Sequence, residues 1–113
     1  MHEYSIVQAL LDSCEEHIRT NDAKEATKVV VKIGVMSGVE PELLKTAFDT
    51  FKEKTACENA EFVMNIQPVV IRCLACEKES TLGELEYRCH HCDSLDVSVI
   101  EGEEMFLMQL ELC

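Results

Sequence analysis

The sequence predicts an α+β fold: a mixed three-stranded sheet packed with two helices, interrupted by a small cysteine-bearing lobe. Three observations predict it. Two segments repeat apolar residues at spacings of three and four, three others alternate them, and four cysteines fall into two Cys-X2-Cys pairs late in the chain. At 113 residues, 47% of them hydrophobic, the chain can build one core. Aromatics are scarce at 5% and Trp is absent, so aliphatic packing must dominate that core.

Residues 4–20 set Val7, Leu10, Leu11, Cys14 and Ile18 on one stripe, with Asp12, Glu15, Glu16 and Arg19 opposite. That pattern is an amphipathic helix, and Asn21-Asp22 reads as its stop. Residues 27–35 alternate, with Val29, Val31 and Ile33 facing one way and Lys28 and Lys32 the other. This is a half-buried strand ended at or just after Gly34. Ser37-Gly38 supplies a turn, and Pro41 suits the first turn of a second helix with Glu40 at its N-cap. Leu44, Ala47, Phe48 and Phe51 line that helix to about residue 54.

A second strand is expected over 61–71, with Phe62, Met64 and Ile66 in phase. Pro68 interrupts it and makes it an edge or bulged strand. A third is expected over 97–112, with Phe106, Met108, Leu110 and Leu112 on one face and Leu107, Gln109 and Glu111 on the other. Helix 2 joins strands 1 and 2, which permits a right-handed parallel crossover. A metal cage at the cysteine pairs would pinch the two ends of the lobe together, so the strands flanking the lobe should run antiparallel. The domain division read from this is 1–71 with 95–113 for the helix-sheet body, and 72–94 for the lobe. No internal repeat appears beyond the paired cysteine turns.

The lobe carries the firmest local signal. Cys73 and Cys76 are followed, after twelve residues, by Cys89 and Cys92. Each Cys-X-X-Cys turn aims two sulfurs at one point, and two such turns close a tetrahedral cage of thiolates, most often around Zn(II). The lobe is therefore zinc-ribbon-like. Four sulfurs leave no open position, so the metal is structural and supplies no Lewis acid. Rubredoxin-like iron is the competing occupant.

Charge excludes other uses of such a ribbon. The chain carries a formal net charge of -12. Between Arg72 and Asp93 there are three basic residues (Arg72, Lys78, Arg88) against five acidic ones. A phosphate-binding surface needs the opposite balance, so no nucleic-acid partner is expected, and a partner with a basic face fits better. There is no basic flank with an apolar run of signal-peptide type, and no stretch near the ~20 apolar residues a membrane helix needs. A cytoplasmic chain with seven cysteines points to metal rather than disulfides. No phosphate loop or nucleophile–base pair is visible, so no enzyme is expected.

The start of the chain, Met1-His2-Glu3, offers a second metal site. A bulky second residue keeps the initiator Met. Its amine, the His2 amide nitrogen and the imidazole Nδ1 can form two fused chelate rings. A tetragonal N/O set of that kind suits Ni(II) or Cu(II). Glu3 can add its amide or carboxylate, and Glu40 can approach if helix 2 starts near the N-terminus.

Met1-His2-Glu3, the following helix, the Val29–Gly34 strand, the Ser37–Glu40 turn and the two cysteine pairs together resemble the HypA/HybF family of hydrogenase nickel-incorporation proteins. The resemblance spans essentially the whole chain in order and spacing. It implies a nickel metallochaperone for [NiFe]-hydrogenase maturation, and in some bacteria for urease. It also implies a GTPase partner of the HypB type, the hydrogenase large subunit and a urease accessory protein. Carried over by residue, Ni(II) falls on His2 with Met1, Glu3 and Glu40 beside it. Zn(II) falls on Cys73, Cys76, Cys89 and Cys92. Some relatives place a His directly after each cysteine pair, where Glu77 and Asp93 stand here. His90 and His91 lie inside the second turn.

Other residues read as ordinary. Cys14 is a core thiol, His17 sits on the neighbouring helix face, Cys57 lacks an evident partner, and Cys113 is free. The Glu101–Glu104 run is a solvated turn that could also meet a basic partner surface. Two further classes compete with metal delivery: a zinc-stapled adaptor that only docks proteins, and an iron-bearing electron carrier.

Overall fold

The computed structural model describes residues 2–83 and 86–113, without the side chain of His2. The first helix, α1, runs His2–Thr20 and buries Val7, Leu10, Leu11, Cys14 and Ile18, the expected stripe. It stops because Asp22 turns left-handed at φ 56°. The Ala23 N–H then bonds the Ile18 carbonyl at 3.0 Å and the Asp22 N–H bonds Arg19 at 3.3 Å. That 6→1 and 5→2 pair satisfies carbonyls the helix end leaves open.

Strand β1 (Ala26–Gly34) is the centre of a sheet ordered β2-β1-β6, with β2 at Glu61–Gln67 and β6 at Met105–Leu112. The second helix, α2 (Pro41–Phe51), connects β1 to the parallel strand β2. It ends three residues before the expected limit. Strand β6 is antiparallel to β1. Val29, Val31 and Ile33 lie level with Phe62, Met64 and Ile66; Phe62 and Met64 pack with them under the helices, whereas Ile66 is exposed at 50%. Phe48 of α2 stacks on Phe62 with ring centroids 4.2 Å apart. Mixed pairing and two covering helices are the predicted body.

Three strand expectations change in detail. The strand expected over 61–71 splits at Pro68, giving β2 and a separate β3 (Val69–Cys73). The strand expected over 97–112 splits at Gly102, giving β5 (Val97–Glu101) and β6. A short β4 (Glu79–Leu82), not foreseen, completes a second sheet ordered β4-β3-β5, antiparallel throughout. This sheet has its own small core of Val69, Ile71 and Leu82, and it draws on strands either side of residues 72–94. Pro68 has no N–H to donate, and Gly102 adopts φ 105°, so the chain leaves one sheet for the other at these two points.

The third change is one of phase. Val30 lies opposite Gln109 while Val31 lies opposite Leu107, so Met108 is an extra residue on its strand. This β-bulge inverts the alternation. Met105 and Leu107 therefore join Leu110 and Leu112 against the core, and Phe106 and Met108 are exposed at 47% and 54%. The expected face of Phe106, Met108, Leu110 and Leu112 does not form.

The two sheets meet at a tight crossing. A Cβ on Gly34 would stand 2.3 Å from the Gly102 carbonyl oxygen, and one on Gly102 would stand 2.7 Å from the Val69 Cα. The Gly102 carbonyl accepts from Met36 N–H at 2.8 Å, and Gly34 N–H bonds Glu104 at 3.0 Å. The molecule is elongated, 52 × 28 × 17 Å. No described helix is long and apolar enough to cross a membrane.

Candidate metal centres

The two cysteine turns are built alike. Cys73 ends β3, its N–H bonds the Lys78 carbonyl at 2.9 Å, and its carbonyl accepts from Glu77 N–H at 3.0 Å. Cys89 repeats this with Ser94 at 2.9 Å and Asp93 at 3.0 Å. Glu77 and Asp93, the residues following each pair, are left-handed at φ 64° and 61°. This reversal turns backbone amides toward sulfur. Ala75 and Cys76 N–H reach Cys73 Sγ at 3.3 and 3.4 Å, and His91 N–H reaches Cys89 Sγ at 3.3 Å.

The four sulfurs converge. Cys73 and Cys92 Sγ are 3.5 Å apart, Cys76 and Cys89 Sγ are 3.6 Å apart, and all four lie within 4.8 Å of one another. A tetrahedral cage with ~2.3 Å metal–sulfur bonds needs sulfurs about 3.8 Å apart. The donor set thus fits one zinc-sized ion with no position left over.

Their acidities are split. Burial pushes the Cys89 thiol up, but the His91 and Cys92 N–H groups and neighbouring thiols outweigh it and bring it to about 6. The Cys76 N–H leads a set of donors that also lowers Cys73. For Cys92, the Ser94 N–H pulls down, yet Cys73, burial, Cys89 and Cys76 together push it up to about 12. The cluster is therefore primed with thiolate on some sulfurs and keeps protons on others for a metal to displace.

Neither histidine of the second turn joins the cluster. His91 Nε2 lies 3.3 Å from the Glu79 carbonyl, and His90 N–H bonds Ser80 Oγ at 3.2 Å. Both contacts tie the turn to β4.

Outside the cysteine lobe, the first turn of α1 lies against α2. The Glu3 carboxylate accepts from the Glu40 N–H at 3.3 Å. Glu40 is the N-cap of α2, as expected, but its side chain forms no cap hydrogen bond. Tyr4 meets Phe51 edge-on, with ring centroids 5.2 Å apart. The structure thus brings Glu3 and Glu40 together. Met1 and the His2 side chain lie outside the described residues.

The chain matches the family model described as "Hydrogenase/urease nickel incorporation, metallochaperone, hypA" over residues 1–112. It belongs to the HypA family. Among curated relatives, the hydrogenase maturation factor HypA of Shewanella halifaxensis is 53% identical over 99% of this chain and 97% of its own. That of Aquifex aeolicus is 54% identical over the same shares. A solution structure of a HypA protein superposes at TM-score 0.78, with 36% identity, over all of this chain and 97% of the other. The solution structure of the nickel metallochaperone HypA from Helicobacter pylori gives 0.70 and 36% identity, covering 97% of this chain and 96% of the other. Membership in HypA thus accounts for the fold, with two helices, a mixed sheet and a cysteine lobe.

One pairing was missed from sequence. Cys57, read as partnerless, is fully buried beside the equally buried Cys14. Cys57 first, then burial, pushes the Cys14 thiol far above its ordinary range. Its apolar neighbour Ala56 was the available hint that Cys57 packs inward. His17 Nδ1 is 2.8 Å from the Ser13 carbonyl of its own helix. It forms no metal cluster with Cys14 among the described residues.

Proposed function

We propose that this chain binds Ni(II) at its N-terminus and delivers it for maturation of [NiFe]-hydrogenase, and by extension of urease. His2 is the principal ligand through its imidazole and amide, with the Met1 amine, Glu3 and Glu40 completing the set. The supporting observation is the 3.3 Å contact of the Glu3 carboxylate with the Glu40 N–H, which holds the first turn of α1 beside the start of α2.

Helix physics suits a cargo site here. The first N–H groups of a helix have no intrahelical acceptor, so the His2 amide can give up its proton to a metal without breaking the ladder. The positive end of the helix dipole opposes a bare cation. Anionic ligands offset that opposition, which leaves binding loose enough for release.

Zn(II) belongs on Cys73, Cys76, Cys89 and Cys92, where it cross-links the lobe and leaves no reactive position. The division of labour follows the chain: residues 1–71 with 95–113 carry nickel, and 72–94 carry zinc. The chain moves metal and catalyses nothing, so nucleotide hydrolysis falls to a GTPase of the HypB type. The hydrogenase large subunit and a urease accessory protein are the recipients, in the cytoplasm.

The test is a Ni(II) titration of untagged, zinc-loaded protein beside His2→Ala, by calorimetry and visible absorption. A saturable site with a planar-type band, lost in His2→Ala while zinc content and fold stay intact, is expected. Native nickel affinity in His2→Ala would remove the N-terminal site and leave a zinc-stapled adaptor.

A further inference from the structure

The Met108 bulge has a second effect: it opens a groove. Where the uncovered face of the first sheet meets β5, a cleft of about 630 Å³ forms. Phe106, Met108 and Ile100 line it, and all three are exposed. Its ammonium, Lys32, is already engaged, 3.3 Å from the Glu101 carboxylate and 5.7 Å from the Phe106 ring centroid. Glu103 and Glu104 also line it, and neither forms an ion pair among the described residues. The groove is part apolar and part acidic, with an excess of uncompensated negative charge.

A separate observation concerns the backbone. Strand β5 is an outer strand of one sheet and β6 an outer strand of the other, and they are consecutive in the chain. Among the described residues, one side of 97–101 and of 105–112 therefore has no strand beside it. Outer strands present every second N–H and C=O outward, a template for an added strand.

We propose that this edge and groove dock an extended segment of another protein, apolar in the middle and flanked by Lys or Arg. The added strand pairs with β6, its apolar side chains cover Phe106 and Met108, and its basic flank meets Glu103 and Glu104. Charge decides between this occupant and a second copy of the chain. Two copies joined along β6 would bring Glu103, Glu104 and Glu111 of each together, on chains that each carry -12. A basic segment gains where a second copy is repelled. The site stands independently of the nickel reading, and its test uses no nickel.

The experiment follows backbone amide shifts of ¹⁵N-labelled, zinc-loaded full-length protein against three synthetic peptides. One alternates Val and Thr between Lys pairs, one has the same centre between Glu pairs, and one has a Gly-Ser centre between Lys pairs. The first should bind saturably and move amides within 97–112. The double variant Glu103→Lys/Glu104→Lys should weaken it by at least about tenfold and take the Glu-flanked peptide instead. Phe106→Ala should weaken both. These side chains are exposed, and unchanged shifts in α1 and α2 will show that the variants fold. Absence of saturable binding, equal binding of all three peptides, or shifts confined elsewhere would overturn the proposal. So would a concentration-dependent dimer that moves the same amides, which would assign the edge to a second copy.

Discussion

At the cysteine cluster, single backbone amides set the chemistry. N–H groups aimed at Cys73 and Cys89 hold those sulfurs toward thiolate, while Cys92 keeps its proton. A metal arriving at neutral pH must displace what remains. Zinc loading at pH 7 should therefore release protons, measurable as a dependence of the calorimetric heat on buffer ionisation enthalpy. The sign follows from Cys89: its acidity near 6 leaves it anionic at pH 7, and protonation as pH falls through 6 removes a ligand. Apparent zinc affinity should drop across that window, and a flat profile from pH 7 to 5 would contradict it. Residue by residue, the cysteines were legible because their spacing is local. The Glu3–Glu40 contact was only a conditional expectation, since 37 residues separate the partners and the fold alone joins them.

Among the elements, the helices and β1 were legible because periodicity alone marks them. The segments around Pro68 and Gly102 were legible as strands but not in extent. Pro68 and Gly102 are single residues, and each moves the chain from one sheet to another. Gly102→Ala tests that crossing. A methyl there meets the Val69 backbone at 2.7 Å and must hold φ 105°. The expected loss is at least about 2 kcal/mol, from overpacking and backbone strain together. Gly83→Ala, with open space around it, should be near neutral, and denaturant midpoints compare the two. Equal midpoints would mean that the crossing yields freely. Strand β4 was invisible because Glu79–Leu82 is four residues long with a polar outer face. The bulge was invisible because it is defined by the partner strand: only pairing with β1 reveals that Met108 is extra.

For the whole molecule, two sheets of unequal self-sufficiency share one chain. The first has a core of helices and sheet from Val7 to Ala60. Among the described residues, the second has a hydrophobic core of just Val69, Ile71 and Leu82, with Val97 and Val99 packed against it. A core that small needs a cross-link, and structural zinc in small peptides contributes ~10–16 kcal/mol. Chelating the metal should abolish hydrogen-exchange protection across 69–101 while β1 and α1 stay protected. Uniform loss would mean that the sheets unfold as one. By itself the sequence determined the element types, the cysteine cage and the family, because each rests on short-range spacing or on residues read in order. Only the tertiary structure decided the division into two sheets, the phase of β6, the Cys14–Cys57 neighbourhood and the meeting of Glu3 with Glu40. Each of these depends on which distant backbone a residue pairs with, and pairing energy is shared across strands rather than written in any one of them.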